Sequence, residues 1–365
     1  MRKPLRLLIV LPSWVGDCVM STPTLRVIRA AWKGTFIGVL VKPGLDQLLG
    51  GLDIFDEVHV ERQSGLMATK AAAQKVRPRR YESVLLFRNS FSSALMARMA
   101  GIPSRIGYSR DARGMLLTDS IPPPRREDGS YEIVSAVDYY WNLASRLLLG
   151  DDDDVEQAIN LVSGDESDAD FESRFVPGSV RPLPAGLSMT LGITPSDEEN
   201  AARVFERAGV RDDERYILLN PGANKDWKRW PADRFAAVAD HAHRRGWKVL
   251  LTGAPGEAEL IEEVAARATA PTVALPRLGM SMGGLKRVIA RARVLVTNDT
   301  GPRHIAAALG TPLISLFGPT DVRWAAIPTK PGASEVRVLA DPSLPESESA
   351  NDHRERCSIE KISVE

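Results

Sequence analysis

Short aliphatic runs alternate with longer helix-forming stretches, and the alternation occurs twice, which leaves few architectures open to the chain. Leu7 to Leu11, Phe36 to Val41, Glu57 to Val60 and Ser83 to Phe87 read as strands, with helices near Pro23 to Trp32, Gly44 to Leu49 and Phe91 to Ala100. Apolar runs without polar alternation suit strands covered on both faces, so the pattern predicts a parallel sheet wrapped by helices. The acidic run Asp151 to Asp154 reads as solvated, and Ser163 to Pro195 is rich in Ser, Gly, Pro and acids, as a junction would be. After a helix at Ser196 to Gly209 the alternation restarts. Strands are expected at Tyr216 to Leu219, Lys248 to Thr252, Thr272 to Leu275, Val294 to Thr297 and Leu313 to Phe317. Helices are expected at Pro231 to Arg245, Glu257 to Ala268, Gly283 to Ala292 and Pro302 to Leu309. The reading is an α/β chain with two parallel-sheet domains, residues 1–180 and 181–340, followed by a tail, 341–365. Ligands of open parallel sheets bind beyond the carboxyl ends of the strands, so the two domains are expected to face a central cleft.

Charge is balanced overall, 47 basic against 47 acidic residues, but unevenly spread. The first 130 residues hold 20 basic and 11 acidic side chains, leaving 27 and 36 for the rest. That asymmetry suits an anionic partner for the first domain or is ordinary solvated surface. Cys18 and Cys357 stand far apart and imply neither a disulfide framework nor a cysteine metal site. The basic start runs into Leu7 to Leu11, too short a stretch for a signal peptide and ended by Pro12-Ser13-Trp14, so it reads as a first strand. No apolar stretch approaches the roughly 20 residues that span a bilayer. The expectation is a cytoplasmic protein that at most touches a membrane surface peripherally.

Three strand ends carry polar residues able to do chemistry. Asn298-Asp299-Thr300-Gly301 lies between the run Val294-Leu295-Val296 and an Ala-rich helix. The first N–H groups of a helix lack intrahelical partners and sit at the positive end of its dipole, so a phosphate is stabilised there, and Thr300 is placed to cap. Simple helix capping is the alternative. The first strand of the second half ends in Asn220 to Pro231, where Lys225, Lys228 and Arg229 crowd one loop beside Trp227 and Trp230. That loop is either a phosphate site or a solvated basic turn. Glu257, after Leu251-Thr252-Gly253, can accept from ribose hydroxyls or serve as an N-terminal helix charge. In the first half, Asp17 sits in the loop after Leu11, where its carboxylate can take a proton from a substrate hydroxyl or bond its own turn. The chain lacks G-x-G-x-x-G, G-x-x-x-x-G-K-[ST] and H-E-x-x-H, and His241 and His243 face different sides of a helix. No cofactor or metal is called for, and no nucleic-acid module is recognisable.

Taken together, Val15-Gly16-Asp17 with Pro23-Thr24-Leu25, Lys228 to Pro231, Asn298 to His304 with Ala306 to Ala308, and Phe317-Gly318-Pro319-Thr320 resemble glycosyltransferase family 9. That family comprises the ADP-heptose:lipopolysaccharide heptosyltransferases, and the similarity is greatest to its heptosyltransferase II group. The resemblance implies the GT-B fold, two Rossmann-like domains with acceptor bound by the first and nucleotide sugar by the second. It places the catalytic aspartate on Asp17, the phosphate-binding lysine on Lys228 and the phosphate loop on Asp299, Thr300 and Gly301, followed by His304. It places the ribose-binding glutamate on Glu257 and the adenine-side methionine on Met280. Asp352 to Ile359 resembles the family's C-terminal signature imperfectly, methionine being more usual after the cysteine.

The mechanism implied is inverting and metal-independent. Asp17 deprotonates an acceptor hydroxyl, while Lys228 and the N–H groups of Thr300 and Gly301 stabilise the leaving diphosphate. The expected partners are an ADP-sugar donor and an anionic, lipid-linked glycan acceptor at the cytoplasmic face of the inner membrane. For that acceptor, Arg105, Arg110 and Arg113 are expected to form a basic surface, along with Lys75, Arg77, Arg79, Arg80 and Arg98. The rival readings are a glycosyltransferase of the same family with another glycan or protein acceptor, a nucleotide-sugar epimerase, and a non-catalytic nucleotide-sugar binding module.

Overall fold

Leu7, Leu8, Ile9 and Val10 are inaccessible to solvent because their strand lies inside a sheet with helices against it. This is seen in a computed structural model that describes residues 3–62, 65–127, 129–149, 153–164, 180–328 and 333–364. The chain divides into two units, the first ending at Met189 and the second starting at Thr190.

The first unit contains β1 (Arg6–Val10), β2 (Phe36–Val41), β3 (Glu57–Val60), β4 (Ser83–Leu86), β5 (Ser104–Tyr108) and β6 (Asp119–Ile121). Its helices are α1 (Val15–Met20), α2 (Thr22–Ala31), α3 (Leu45–Leu49), α4 (Leu66–Val76), α5 (Phe91–Met99), α6 (Ala136–Ala144) and α7 (Asp153–Ser163). The strands are parallel in the order β3-β2-β1-β4-β5-β6. Leu8 and Val10 of β1 share a face with Val84 and Leu86 of β4, where Ala72, Ala73, Val76, Ala94 and Ala97 pack. The large residues come from the sheet and the small ones from α4 and α5, so the helices lie close. Each such leucine or valine contributes about 2 kcal/mol by leaving water.

The second unit starts with α8 (Pro195–Ala208) and contains β7 (Tyr216–Asn220), β8 (Lys248–Leu251), β9 (Thr272–Ala274), β10 (Val294–Asn298), β11 (Leu313–Phe317) and β12 (Glu335–Leu339). Its remaining helices are α9 (Ala232–Arg244), α10 (Ala258–Arg267), α11 (Met282–Arg291) and α12 (Gly301–Leu309). Read from β9, its parallel order is β9-β8-β7-β10-β11-β12, which repeats the order of the first unit. In both sheets the order reverses between the first and fourth strands, and the turns after those strands diverge to leave a crevice for ligands. Those turns are where Asp17 and the residues around Lys228 and Asp299 stand.

The nine expected strands are present within a residue of their bounds. β5, β6 and β12 were not anticipated, because SRIGY, DSI and EVRVL are short and carry polar or charged residues. They lie at or next to sheet edges, where burial on both faces is not required. Of the acidic run, Asp153 and Asp154 open α7, and Asp154 is exposed there, as expected of a solvated run. Asp151, Asp152 and residues 165–179 lie outside the described residues. The segment read as a tail is built into the second unit: Ile359 and Ile362 join its core, and Trp230 Nε1 donates to the Ile362 carbonyl at 2.9 Å. Arg234 also donates to the carbonyls of Glu360 and Ile362.

Candidate active site

In the first unit, the chain leaves β1 through Leu11-Pro12-Ser13 and enters α1 at Trp14, which is 64% exposed. Asp17 therefore stands in the first turn of a short helix and not in an open loop, since the turn after Pro12 tightens at once into helix. Its carboxylate is half-buried and complements the helix dipole. The Tyr140 hydroxyl of α6 donates to Asp17 Oδ1 at 3.1 Å. Burial, and then the charge of Asp17, pushes the Tyr140 phenol well above its ordinary range, so it remains a donor. Beside Asp17, burial raises the Cys18 thiol and keeps it un-ionised.

The turn after β4 faces the same crevice of this sheet. Arg88 donates to the Leu11 carbonyl at 3.1 Å and pairs with Glu61 at 2.7 Å, and Lys42 pairs with Glu61 at 3.1 Å. Arg113 supports this turn from below. It is fully buried, donating to the Tyr108 carbonyl at 2.9 Å, to Asn89 Oδ1 at 2.7 Å and to the Arg88 carbonyl. Burial lowers its guanidinium to about 10, which still leaves it charged at neutral pH. Arg113 is thus an internal brace and not part of a basic surface, because these carbonyls and Asn89 consume its donors inside the fold. Arg105 is half-buried and donates to the carbonyls of Leu116, Ile102 and Pro103 at 2.6, 2.7 and 3.0 Å. Arg110 is half-buried and lies over the Tyr131 ring, 4.6 Å from its centroid, and a second arginine, Arg125, lies 4.5 Å from the same centroid. Lys75, Arg77, Arg79, Arg80 and Arg98 are exposed.

The second unit builds its crevice from the turns after β7 and β10. Lys228 Nζ lies 3.0 Å from Asp299 Oδ2, and Arg303 Nη1 lies 3.5 Å from Asp299 Oδ1. Burial pushes the Asp299 carboxyl up, but Lys228, Arg303 and a hydrogen bond from Lys228 outweigh it and hold the group below its usual range. Of the three cations expected in the β7 loop, only Lys228 reaches this turn. Arg229 braces the loop by donating to the Ala223 carbonyl at 3.0 Å, and Lys225 is exposed. Two buried amides stitch the turns together. Asn298 Nδ2 donates to the Pro221 carbonyl at 2.8 Å while its Oδ1 accepts from Trp230 N at 3.2 Å. Asn220 Nδ2 donates to Thr297 Oγ1 at 3.1 Å and to Thr300 Oγ1 at 3.2 Å.

Thr300 occupies the position before α12, yet its hydroxyl makes no capping bond, because it is turned toward Asn220 and the Asn298 carbonyl. Pro302 contributes no N–H. Arg303 N donates to the Thr300 carbonyl at 3.1 Å, so among the described residues it is the N–H groups of Thr300 and Gly301 that are left to solvent or a ligand. His304 is buried one turn in, and burial followed by the charge of Arg303 lowers it to about 3, so it is neutral. Its Nδ1 has no hydrogen-bond partner among the described residues. Glu257 belongs to the same crevice. Its Oε2 accepts from Ala254 N at 2.8 Å, and its carboxylate rests against Gly222, where an added Cβ would stand 2.0 Å from Oε2. Met280 is half-buried in the segment after β9, between residues that Asn200 holds: Nδ2 donates to the Gly279 carbonyl at 3.2 Å, and Oδ1 accepts from Ser281 N at 2.9 Å. Among the described residues no cluster of three or more His, Cys, Asp or Glu side chains is arranged to hold a metal ion.

A sequence model of the family described as glycosyltransferase family 9 (heptosyltransferase) matches residues 69–355. The chain belongs to glycosyltransferase family 9. It is similar to lipopolysaccharide heptosyltransferase 2 of Escherichia coli K12, 26% identical over 345 residues that cover 92% of this chain and 88% of that protein. Its fold is that of a family 9 glycosyltransferase from Veillonella parvula, with a TM-score of 0.72 at 20% identity, covering 98% of this chain and 93% of that one. It is also that of E. coli ADP-heptose lipopolysaccharide heptosyltransferase II, with a TM-score of 0.68 at 22% identity, covering 96% and 97%. The family 9 chain is accordingly a GT-B glycosyltransferase, as the resemblance implied.

Several residues of the site in this family 9 chain were not singled out from sequence. Tyr140, Asn220, Asn298, Arg303 and Glu335 act through contacts with residues distant in sequence. Only the polar ends of β7 and β10, Asn220 and Asn298, carried a signal, since an asparagine closing an aliphatic strand needs a partner.

Proposed function

We propose that this chain transfers heptose from ADP-heptose to a hydroxyl of the lipopolysaccharide inner core, by an inverting mechanism without a metal. The observation that carries the reading is the second unit's crevice, where Lys228 stands against the turn that starts α12. A lysine and a helix start with uncapped N–H groups together suit a diphosphate. Glu257, against Gly222, suits the ribose hydroxyls, and Met280 the adenine side. The family and the names of its relatives supply the sugar.

In the reaction, Asp17 accepts the proton of the acceptor hydroxyl as that oxygen attacks the anomeric carbon. The bond to the diphosphate breaks on the opposite face, and ADP leaves with the electron pair. Tyr140 orients the carboxylate through its hydrogen bond to Oδ1. Leaving-group charge is the main barrier, and each preorganised donor on it contributes roughly 3 kcal/mol. Asp299 carries the wrong sign to touch phosphate, and serves by aiming Lys228. The exposed Lys75 to Arg80 segment suits an anionic lipid surface, each basic residue contributing about 1 kcal/mol there. No helix of the described residues is long and apolar enough to cross a membrane, so the contact proposed is peripheral.

The test is to incubate the protein with ADP-heptose, with other nucleotide sugars and with core acceptor lacking heptose, with and without EDTA, and to identify products by mass and anomeric configuration by NMR. One heptose of inverted configuration on the acceptor, insensitive to EDTA, is expected. Isomerised nucleotide sugar without acceptor, or binding without turnover, would overturn the reading.

A further inference from the structure

Asp299 is contacted by two cations on different oxygens, Lys228 on Oδ2 and Arg303 on Oδ1. The two differ in freedom. The Lys228 side chain is 20% exposed, whereas that of Arg303 is 0% exposed. Arg303 is held in place by Glu335 Oε1 at 2.7 Å, the Ala325 carbonyl at 2.8 Å and the Phe317 ring, 4.9 Å from its centroid. Glu335 in turn accepts from Ser315 Oγ at 2.7 Å and pairs with Arg337 at 2.8 Å on the rim of the sheet. Asp299 and Glu335 bring two negative charges, and Arg303 and Arg337 bring two positive ones. The cluster is already neutral without Lys228, so the lysine is its surplus cation.

That balance matters for a phosphate ligand. A lysine that is the sole counter-ion of a buried carboxylate cannot turn away without stranding the charge, which is costly. We propose that Arg303 is a positioning group that keeps Asp299 compensated and so frees Lys228 to pass from Asp299 to the diphosphate of the donor. Asp299 then serves as a resting place for the ammonium, which it releases when the ligand arrives. This rests on the reading of Lys228 as a diphosphate contact.

The experiment measures ADP affinity by calorimetry, with the KM for ADP-sugar as a second readout. Lys228→Met first checks the underlying reading: weaker ADP binding supports it, and unchanged binding ends it together with what is built on it. Arg303→Met with Glu335→Gln removes both buried charges together, leaving Asp299 to hold Lys228. ADP should then bind about tenfold more weakly, the change expected from the loss of one close charge contact. Adding Asp299→Asn should recover most of that loss, although the same substitution alone in the wild-type chain should not improve binding. A scaffold role for Arg303 would leave the loss unrecovered. An unimpaired double variant, or a loss that Asp299→Asn does not relieve, overturns the proposal. Should the double variant not fold, Glu335→Gln alone decides. It leaves Arg303 more fully available to Asp299, so equal or tighter ADP binding is expected, and weaker binding overturns the proposal while the Lys228→Met result stands.

Discussion

The two units share one strand order and put their polar residues at the same place in it, yet they prepare that place differently. The second unit fixes its charges: Asp299, Arg303 and Glu335 are buried or nearly so, and Asn220 and Asn298 lock the two turns together. The first unit leaves Asp17 half-buried in the first turn of a short helix, where the Tyr140 phenol donates to its carboxylate. A diphosphate is the same charged object in every turnover, so a rigid, pre-paired site suits it. A base must meet a neutral hydroxyl and change its own charge during the reaction, which suits a carboxylate that is only half-buried.

The comparison breaks most sharply at Asp17. Asp17→Asn keeps shape but removes the basic group, and transfer should fall about 10²- to 10⁴-fold while ADP affinity is unchanged. Steady-state rates and calorimetry on the same preparation check this, and near wild-type turnover would mean that the first unit supplies no base. Lys228→Met should do the reverse, lowering ADP affinity together with a loss of about 10²-fold in kcat/KM. Equal donor affinity in that variant would remove the second unit's claim to the diphosphate. Tyr140→Phe is a finer probe, since it takes one hydrogen bond from Asp17 and should cost about tenfold in kcat with donor KM unmoved.

The smallest effect separates the units by pH. His304 is lowered to about 3 when folded, whereas an unfolded histidine titrates near 6.5. The folded state therefore binds fewer protons in that window, so its stability is full above about 6.5 and declines as pH falls toward 3, by about 1 kcal/mol per pH unit for this group. Denaturant melts at pH 7.5 and 5.5 should show that loss in the wild-type chain and a smaller one in His304→Gln. Equal losses in both would assign the acid sensitivity elsewhere, the buried His59 of the first unit having the same sign.

Much of this was readable from the residues. Nine strands announced themselves as aliphatic runs, and the strand-end polar clusters at Lys228 and Asp299 proved to be in contact, at 3.0 Å. What stayed hidden were pairings over distance and exceptions to type. Tyr140 lies 123 residues from Asp17, and no local pattern links them. Arg113 looked like surface because arginine is almost never buried unless paired, and the carbonyls that accept from it are backbone atoms with no mark in the sequence. Arg303 was one letter in a familiar motif, and its partner Glu335 sits on an edge strand too short and too charged to be noticed.

The seating of Ile359 and Ile362 in the second core has a consequence for how the chain is made. Domains fold as units in the order of their synthesis, and the first unit has its whole sheet once β6 has been translated. The second does not close so early. Trp230, beside the loop that carries Lys228, finds its hydrogen-bond acceptor 132 residues later. Until then the indole and the apolar surface beneath it lack their cover, so the second unit is the later-maturing and more aggregation-prone part of a nascent chain.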